Sequence, residues 1–477
     1  MTLLTAFIAA ASLPLADLAS AERILGAYIF QRHGDRTAKA LAPTKLTDLG
    51  YNEEYLSGSF FNDRYISSNS AYHIEGISSP VVNLAQIAAS APQDNVIQTS
   101  GQAFLQGLYP PLGSSASERL RNGSTIHLPL SGYQLIPMGD VQSGSGSEDN
   151  TWLESTSTCS KATLSSNAYY YSTSYEELQL STSKMYQSLT SLTNNTIPAS
   201  QMSYKNAYTI WDLFNVALIH NSTFPSSSIL SDNWQELFVL ANIHEFNLAY
   251  NSSDTIRAIA GMNLAGEVLT ALNKTIAGGK TKLNIQFGAY STFLSYFGLS
   301  GLSSMNNFTG MPDYASSMAW ELVTNAPGTG IPSKSEINVR FMFHNGTSIT
   351  GSTDLQAYPL FAQSAVQIPW TQFVDSTNKF AITSQQQWCQ VCGNSTGICA
   401  TTSDTTTSAS SSKASSGGLS LADAGVIGAM VTLGVLAGLS VLLMLIFNLR
   451  LVRKSTLAAI NRGSEASLTP APVKSSS

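Results

Sequence analysis

Interleaved strand-like and helix-like patterns predict an α/β layered domain, not a sandwich of two sheets. Residues 24–30 form an apolar, strand-like run that breaks into a charged loop. Residues 283–287 return to strand alternation before Gly288. Between the two lie helical-period segments at 203–220, 232–250 and 254–275.

Leu46-Thr47-Asp48-Leu49-Gly50 opens an amphipathic stretch to Tyr65, with Leu49, Tyr55, Leu56, Phe60 and Phe61 near helical spacing. Residues 96–108 read as a second helix, stopped by Pro110-Pro111. Residues 113–165 are Gly/Ser-rich, and 143–147 read as a plain loop. In 254–275, Ile256, Ile259, Met262, Leu264, Val268 and Leu269 have the spacing of a core face. A short helix is expected at 293–298 and a strand within 312–322. Residues 339–343 and the stretch after Thr347 read as a hairpin, with Asn345-Gly346 as its turn signal.

The ends of the chain read as an address. Residues 3–11 form a short apolar core, and Ala19-Ser20-Ala21 is a small-residue cleavage site. Residues 1–21 are therefore expected to be a signal peptide, and 22–399 the mature outer domain. Residues 400–423 are dense in Ser and Thr, as in an O-glycosylated stalk. Residues 424–447 carry no charge over 24 positions. At 1.5 Å per residue that is about 36 Å, enough for a transmembrane helix across a hydrocarbon core of ~30 Å. Arg450, Arg453 and Lys454 follow, so 448–477 is expected to be cytoplasmic, below a plasma or vacuolar membrane. Gly434 and Gly438 have helix-dimer spacing, which makes a homodimer a further expectation.

Composition agrees with export. Charged residues are 11% of the chain, against about 25% in ordinary soluble proteins. Eight Asn-x-Ser/Thr sequons, at Asn122, Asn194, Asn221, Asn251, Asn273, Asn307, Asn345 and Asn394, lie between the two apolar ends. Removing the tail's net +4 and the leader's Asp17 from a total of −6 leaves the outer part at −9, which argues against nucleic-acid binding. Cys159, Cys389, Cys392 and Cys399 suggest two disulfides in an oxidising compartment, with three possible pairings. A staple from Cys159 to one of the other three is preferred over a redox or metal role for Cys389-x-x-Cys392.

The chemistry concentrates in Arg32-His33-Gly34-Asp35-Arg36, at the C-terminal end of the first apolar run. Open α/β sheets place ligands at such edges. Two guanidiniums offer forked donors matched to phosphate oxygens, and a neutral imidazole between them has a lone pair to aim at phosphorus. This loop resembles the signature of the histidine acid phosphatase branch of the histidine phosphatase superfamily. Leu46-Thr47-x-x-Gly50 with its helix, and the segment around Gln102-Ala103-Phe104, are also similar to their counterparts there.

The resemblance implies a three-layer α/β fold with a mostly parallel central sheet and helices on both faces. It also implies a smaller helical cap inserted at about 112–276. His33 would be the nucleophile that becomes phosphohistidine, Arg32 and Arg36 would clamp the phosphoryl group, and Lys39 would add a basic contact. No metal or organic cofactor is implied. The family carries His-Asp after the second strand; here Tyr290-Ser291 stands at those positions. A third family arginine is also missing near residues 88–92.

The leading function is therefore an acid phosphatase-like phosphomonoester hydrolase with altered or weakened protonation of the leaving group. Asp35, Glu75 and Asp94 are candidate acids. The alternatives are a phosphate-ester-binding surface protein without turnover and a structural glycoprotein on the same fold. Two further motifs carry less. His244-Glu245 lacks the second His of a zinc helix and reads as a polar helix face. Residues 277–281 end like a phosphate loop, but Lys274 stands where the first Gly belongs, so they read as a turn.

Overall fold

A computed structural model describes residues 22–141, 159–224, 227–305, 308–352, 355–395 and 399. The expected leader, the loop at 143–147, Asn307, the stalk, the 424–447 span with Gly434 and Gly438, and the tail lie outside the described residues. Among the described residues no helix is long and apolar enough to cross a membrane.

The large sheet contains β1 (Arg23–Arg32), β2 (Ile87–Pro92), β5 (Met138–Val141), β6 (Leu283–Gly288), β7 (Ser317–Thr324), β8 (Asn338–His344), β9 (Gln356–Tyr358) and β10 (Gln367–Pro369). A separate hairpin pairs β3 (Ser117–Arg119) with β4 (Thr125–His127). The order is β10-β8-β7-β1-β6-β2-β5, with β9 beside β8. Pairs β1/β6, β6/β2 and β2/β5 are parallel, whereas β1/β7, β7/β8, β8/β10 and β8/β9 are antiparallel. The sheet is therefore mixed, not mostly parallel. The difference lies in the connections: helical crossovers serve the parallel half, while β7, β8 and β9 follow one another with no α-helix among the described residues between them.

Helices cover both faces. α1 (Asp48–Phe61) and α2 (Asn95–Leu108) share one core with Ile24, Ile29 and Phe287. After the single turn α3 (Pro129–Gly132) come α4 (Ser160–Ala168), α5 (Thr173–Ser181), α6 (Ser183–Ser188), α7 (Ala207–His220), α8 (Ser228–Ala249) and α9 (Ile259–Ile276). These six fall between β5 and β6. Because β5 pairs with β2, the helical insert begins after Val141, not near residue 112. α10 (Tyr290–Leu299) and α11 (Trp370–Thr377) join α9 on the opposite face, over Leu25, Tyr28 and Phe30, and α12 (Gln385–Cys392) ends the domain.

Several expected core positions hold, including Ile259, Met262, Leu264, Val268 and Leu269 of α9. Leu49 does not; it is exposed. α1 and α2 meet instead through small residues. A Cβ on Gly58 would stand 1.9 Å from the Phe104 carbonyl, and one on Gly107 would stand 2.1 Å from that of Tyr55. β8 and β9 do form the expected hairpin, though through a long link instead of a tight Asn345-Gly346 turn. Residues 277–279 form a turn, with Gly278 at φ +85°.

The cysteines pair as Cys159–Cys392 and Cys389–Cys399. The first ties the start of the described insert to α12, so the CxxC spacing serves two separate disulfides. The seven sequon asparagines among the described residues are all at least partly exposed.

Candidate active site

Strand β1 is buried on both faces and delivers Arg32 at its C-terminal edge. There the backbone passes into the loop between its two neighbours. Arg32 N–H donates to the Ser316 carbonyl, His33 N–H donates to Gly288 at the end of β6, and His33 accepts from Ala315 N–H. This is the crevice between parallel strand ends that the sequence pointed to.

Gly34 is required here for closeness, not for a sharp turn. Its Cβ would lie 2.4 Å from the Gly50 carbonyl at the start of α1, and its φ is not positive. The contact seats the loop on α1, while Ser100 Oγ of α2 accepts from Gly34 N–H at 3.2 Å.

The His33 ring is anchored by Nδ1, 2.9 Å from the Gly34 carbonyl. A carbonyl only accepts, so Nδ1 carries the proton and, in the neutral ring, Nε2 carries the lone pair. Tyr314 lies beside it, with ring centroids 5.6 Å apart.

Arg32 donates through Nη1 to the Pro312 carbonyl. Its guanidinium lies 4.4 Å from the Tyr314 ring centre and 5.3 Å from that of Tyr290. Arg36 pairs with Asp212 of α7 at 3.1 Å and donates through Nη2 to the Tyr208 hydroxyl at 2.7 Å. Asp212 also accepts from the backbone N–H of Lys39 at 2.7 Å and from the Tyr314 hydroxyl at 3.4 Å. The Lys39 ammonium stands 6.0 Å from the Tyr208 ring centre.

The expected residues thus meet, but not as an open cradle. His33 and Arg36 have no exposed surface and Arg32 only 5%. The sequence alone placed both forks at an open edge; α7 and the 312–315 segment close over them. Asp212 is in ion-pair contact with Arg36. Two buried guanidiniums converging on one loop offer donors that an anion can take.

Of the three proposed acids, none is well placed. Asp35 is buried and held by the Thr47 hydroxyl and by His220 Nε2 at 2.6 Å. Asp94 caps α2, accepting from the backbone N–H groups of Val96 and Ile97. Glu75 pairs with Arg23 at the opposite end of β1, roughly 30 Å away by strand rise. Tyr290 begins α10 with its hydroxyl on Glu245 Oε2 at 2.8 Å and its ring centroid 4.9 Å from that of Tyr208. The Ser291 hydroxyl is buried.

Sequence reading missed Glu53, Tyr208, Asp212, His220, Glu245 and Tyr314. Asp212 left a trace, as a lone acid in the apolar helix Tyr208-Thr-Ile-Trp-Asp-Leu-Phe. Glu53 accepts from the Asp35 N–H at 2.8 Å. Burial pushes its carboxyl up to about 7, the nearby Asp35 adding to the rise and Arg32 opposing it. Burial also holds the Tyr314 and Tyr208 hydroxyls well above their usual range, so both stay protonated donors. His244-Glu245 is no polar face: His244 is buried among Tyr169, Tyr170 and Tyr204.

The sequence profile of the histidine phosphatase superfamily (branch 2) matches residues 40–299, starting just past the Arg-His loop. Among solved structures, the phytase of Citrobacter braakii is 14% identical, with 76% of this chain and 98% of that one covered, at a TM-score of 0.52. The apo form of Hafnia alvei phytase is 10% identical over 80% and 99% of the two chains, at a TM-score of 0.50. Both are likenesses of fold. No curated protein sequence matches the chain significantly.

Proposed function

The chain belongs to branch 2 of the histidine phosphatase superfamily, and from that premise we propose that it hydrolyses phosphomonoesters through a phosphohistidine on His33. The observation that carries this reading is the pairing of two guanidiniums around an imidazole whose Nδ1–H is tied to a carbonyl. His33 Nε2 attacks phosphorus, the ester oxygen departs, and water then cleaves the N–P bond to release phosphate. Arg32 and Arg36 neutralise the equatorial oxygens. To dock, the phosphoryl group displaces the Asp212 carboxylate from Arg36 Nη1, which both Asp212 oxygens approach, at 3.1 and 3.3 Å.

The His-Asp pair is replaced, so protonation of the leaving oxygen is weakened. General acid catalysis contributes about 10²- to 10⁴-fold, or roughly 3–5 kcal/mol of barrier. Aryl and acyl phosphates, whose leaving groups are already acidic, are therefore the favoured substrates. The structural neighbours are phytases, but Asp35, Glu53, Asp212 and Asp313 crowd this loop. An ester with a single phosphate suits that field better than one with many.

We read the protein as an exported, N-glycosylated enzyme, held by the 424–447 segment in a plasma or vacuolar membrane. The two disulfides support the oxidising compartment.

The test is ³²P labelling with an aryl phosphate at pH 4–6. Wild type is expected to trap acid-labile phosphohistidine; His33→Ala is expected to trap none and to lose activity by about 10⁴-fold or more. A wild type that never labels or turns over removes the hydrolase reading.

A further inference from the structure

Resting on the phosphohistidine reading, we propose that Glu245 is the source of the leaving-group proton, passed through the Tyr290 hydroxyl, in place of the missing His-Asp pair. Tyr290 occupies the first of those two positions, and its ring stands 5.3 Å from the Arg32 guanidinium. The same ring packs 4.9 Å from that of Tyr208, whose hydroxyl holds Arg36. Tyr290 is therefore part of the wall around the phosphoryl position.

Its hydroxyl is joined at 2.8 Å to Glu245 Oε2, and Glu245 Oε1 is 2.8 Å from His244 Nδ1. With the transferable proton on Oε2, Oε1 accepts in both protonation states of Glu245, so His244 donates from Nδ1. That leaves His244 Nε2 buried with no hydrogen-bond partner among the described residues, inside a ring of tyrosines. Buried polar atoms are rarely left so. An imidazole kept at this cost serves to aim one carboxylate at one tyrosine. The other carboxylates near the loop have other partners: Asp212 has Arg36, Asp35 has His220, Glu53 has the Asp35 N–H, Glu54 has Gln31, Asp313 has Asn345, and Asp94 caps a helix.

The proton steps balance. As the His33 Nε2–P bond forms and the P–O bond breaks, the Tyr290 proton moves to the departing oxygen. The proton on Glu245 Oε2 moves to Tyr290 Oη. The alcohol leaves neutral and Glu245 is left ionised, accepting from Tyr290 as the structure has it. In the second half, water attacks phosphorus, the N–P bond breaks, and the water proton returns through Tyr290 to Glu245.

The experiment compares kcat/KM of wild type, Glu245→Gln and Tyr290→Phe for p-nitrophenyl phosphate and for an alkyl phosphate, with phosphoenzyme labelling in parallel. Because only the alkyl leaving group needs the proton, both variants are expected to lose about 10²-fold or more on the alkyl ester and far less on the aryl ester. Glu245→Gln is also expected to accumulate phosphohistidine from the aryl ester, since its second half lacks the base. An equal loss on both esters means that Glu245 only braces α8 against α10, and overturns the proposal. No loss on either ester overturns it too. If His33 labels in wild type while the leaving-group dependence stays flat, the relay fails and the hydrolase reading stands. If wild type never labels, both fall.

Discussion

Two buried arginine clusters lie on the same sheet, and they differ in how the guanidiniums are held. Around Glu321 of β7, Oε1 accepts from Arg64 Nε and Nη2 and from the Tyr65 hydroxyl, while Oε2 accepts from Arg340 Nε. Arg340 also reaches Glu22 at 2.6 Å. Two guanidiniums meet two carboxylates, and Glu321 takes a donor from each of them. At the edge of β1, Arg36 meets Asp212, and Arg32 meets a carbonyl and two aromatic faces. A balanced cluster holds a fold together. One held by a carbonyl, aromatic faces and a displaceable carboxylate is stabilised further by an anion that binds it.

The largest effect expected from breaking this contrast is in the balanced cluster. Glu321→Ala strands Arg64 and Arg340 and should cost about 3–5 kcal/mol in denaturant unfolding. Turnover per folded molecule should hardly change. Asp212→Asn sharpens the contrast from the other side. Freeing Arg36 of its internal anion should tighten inorganic phosphate binding by about tenfold, a gain of ~1.4 kcal/mol in calorimetry. Phosphate should also raise the melting temperature of that variant more than it raises wild type. Weaker phosphate binding by Asp212→Asn would mean that Asp212 positions Arg36 instead of competing for it.

A further effect is in pH. Burial alone would raise the Glu321 carboxyl, but Arg64 and Arg340 hold it below the usual range. Its contribution is present above the unfolded pKa and is lost as pH falls through the folded one. Glu53 runs the other way, since burial lifts it to about 7. The folded state then binds the proton more tightly than the unfolded chain. Its stabilisation is complete below about 4.5 and disappears as pH rises through about 7. Fully buried Glu54, also raised by burial, adds in the same direction. Melting temperature should therefore fall between pH 4.5 and 7, and Glu53→Gln should flatten that slope. An unchanged slope would move its origin to Glu54.

The Arg-His loop was legible because its chemistry and its position are both local. A run of strand residues ends where Arg32, His33 and Arg36 begin, and no distant contact is needed to see that. The helices were legible from period, as in α8 and α9. The mixed sheet was not, because strand direction depends on which later strand returns beside β1. Leu49 misled because α1 meets α2 through glycines, and a hydrophobic count is blind to backbone approach. His244-Glu245 looked like a polar stripe because neither residue reveals in sequence that Tyr169, Tyr170 and Tyr204 will surround it.

From its residues alone, this chain specifies an α/β domain with one phosphate-directed loop at a strand end. Those features are written in hydrophobic period and in side-chain chemistry over a few consecutive positions. Whether that loop stands open, and which carboxylates reach it, was decided only when α7 and α8 folded over β1. Asp212 and Glu245 lie more than 170 residues along the chain from Arg36. Short-range pattern carries no information about contacts made across such a distance.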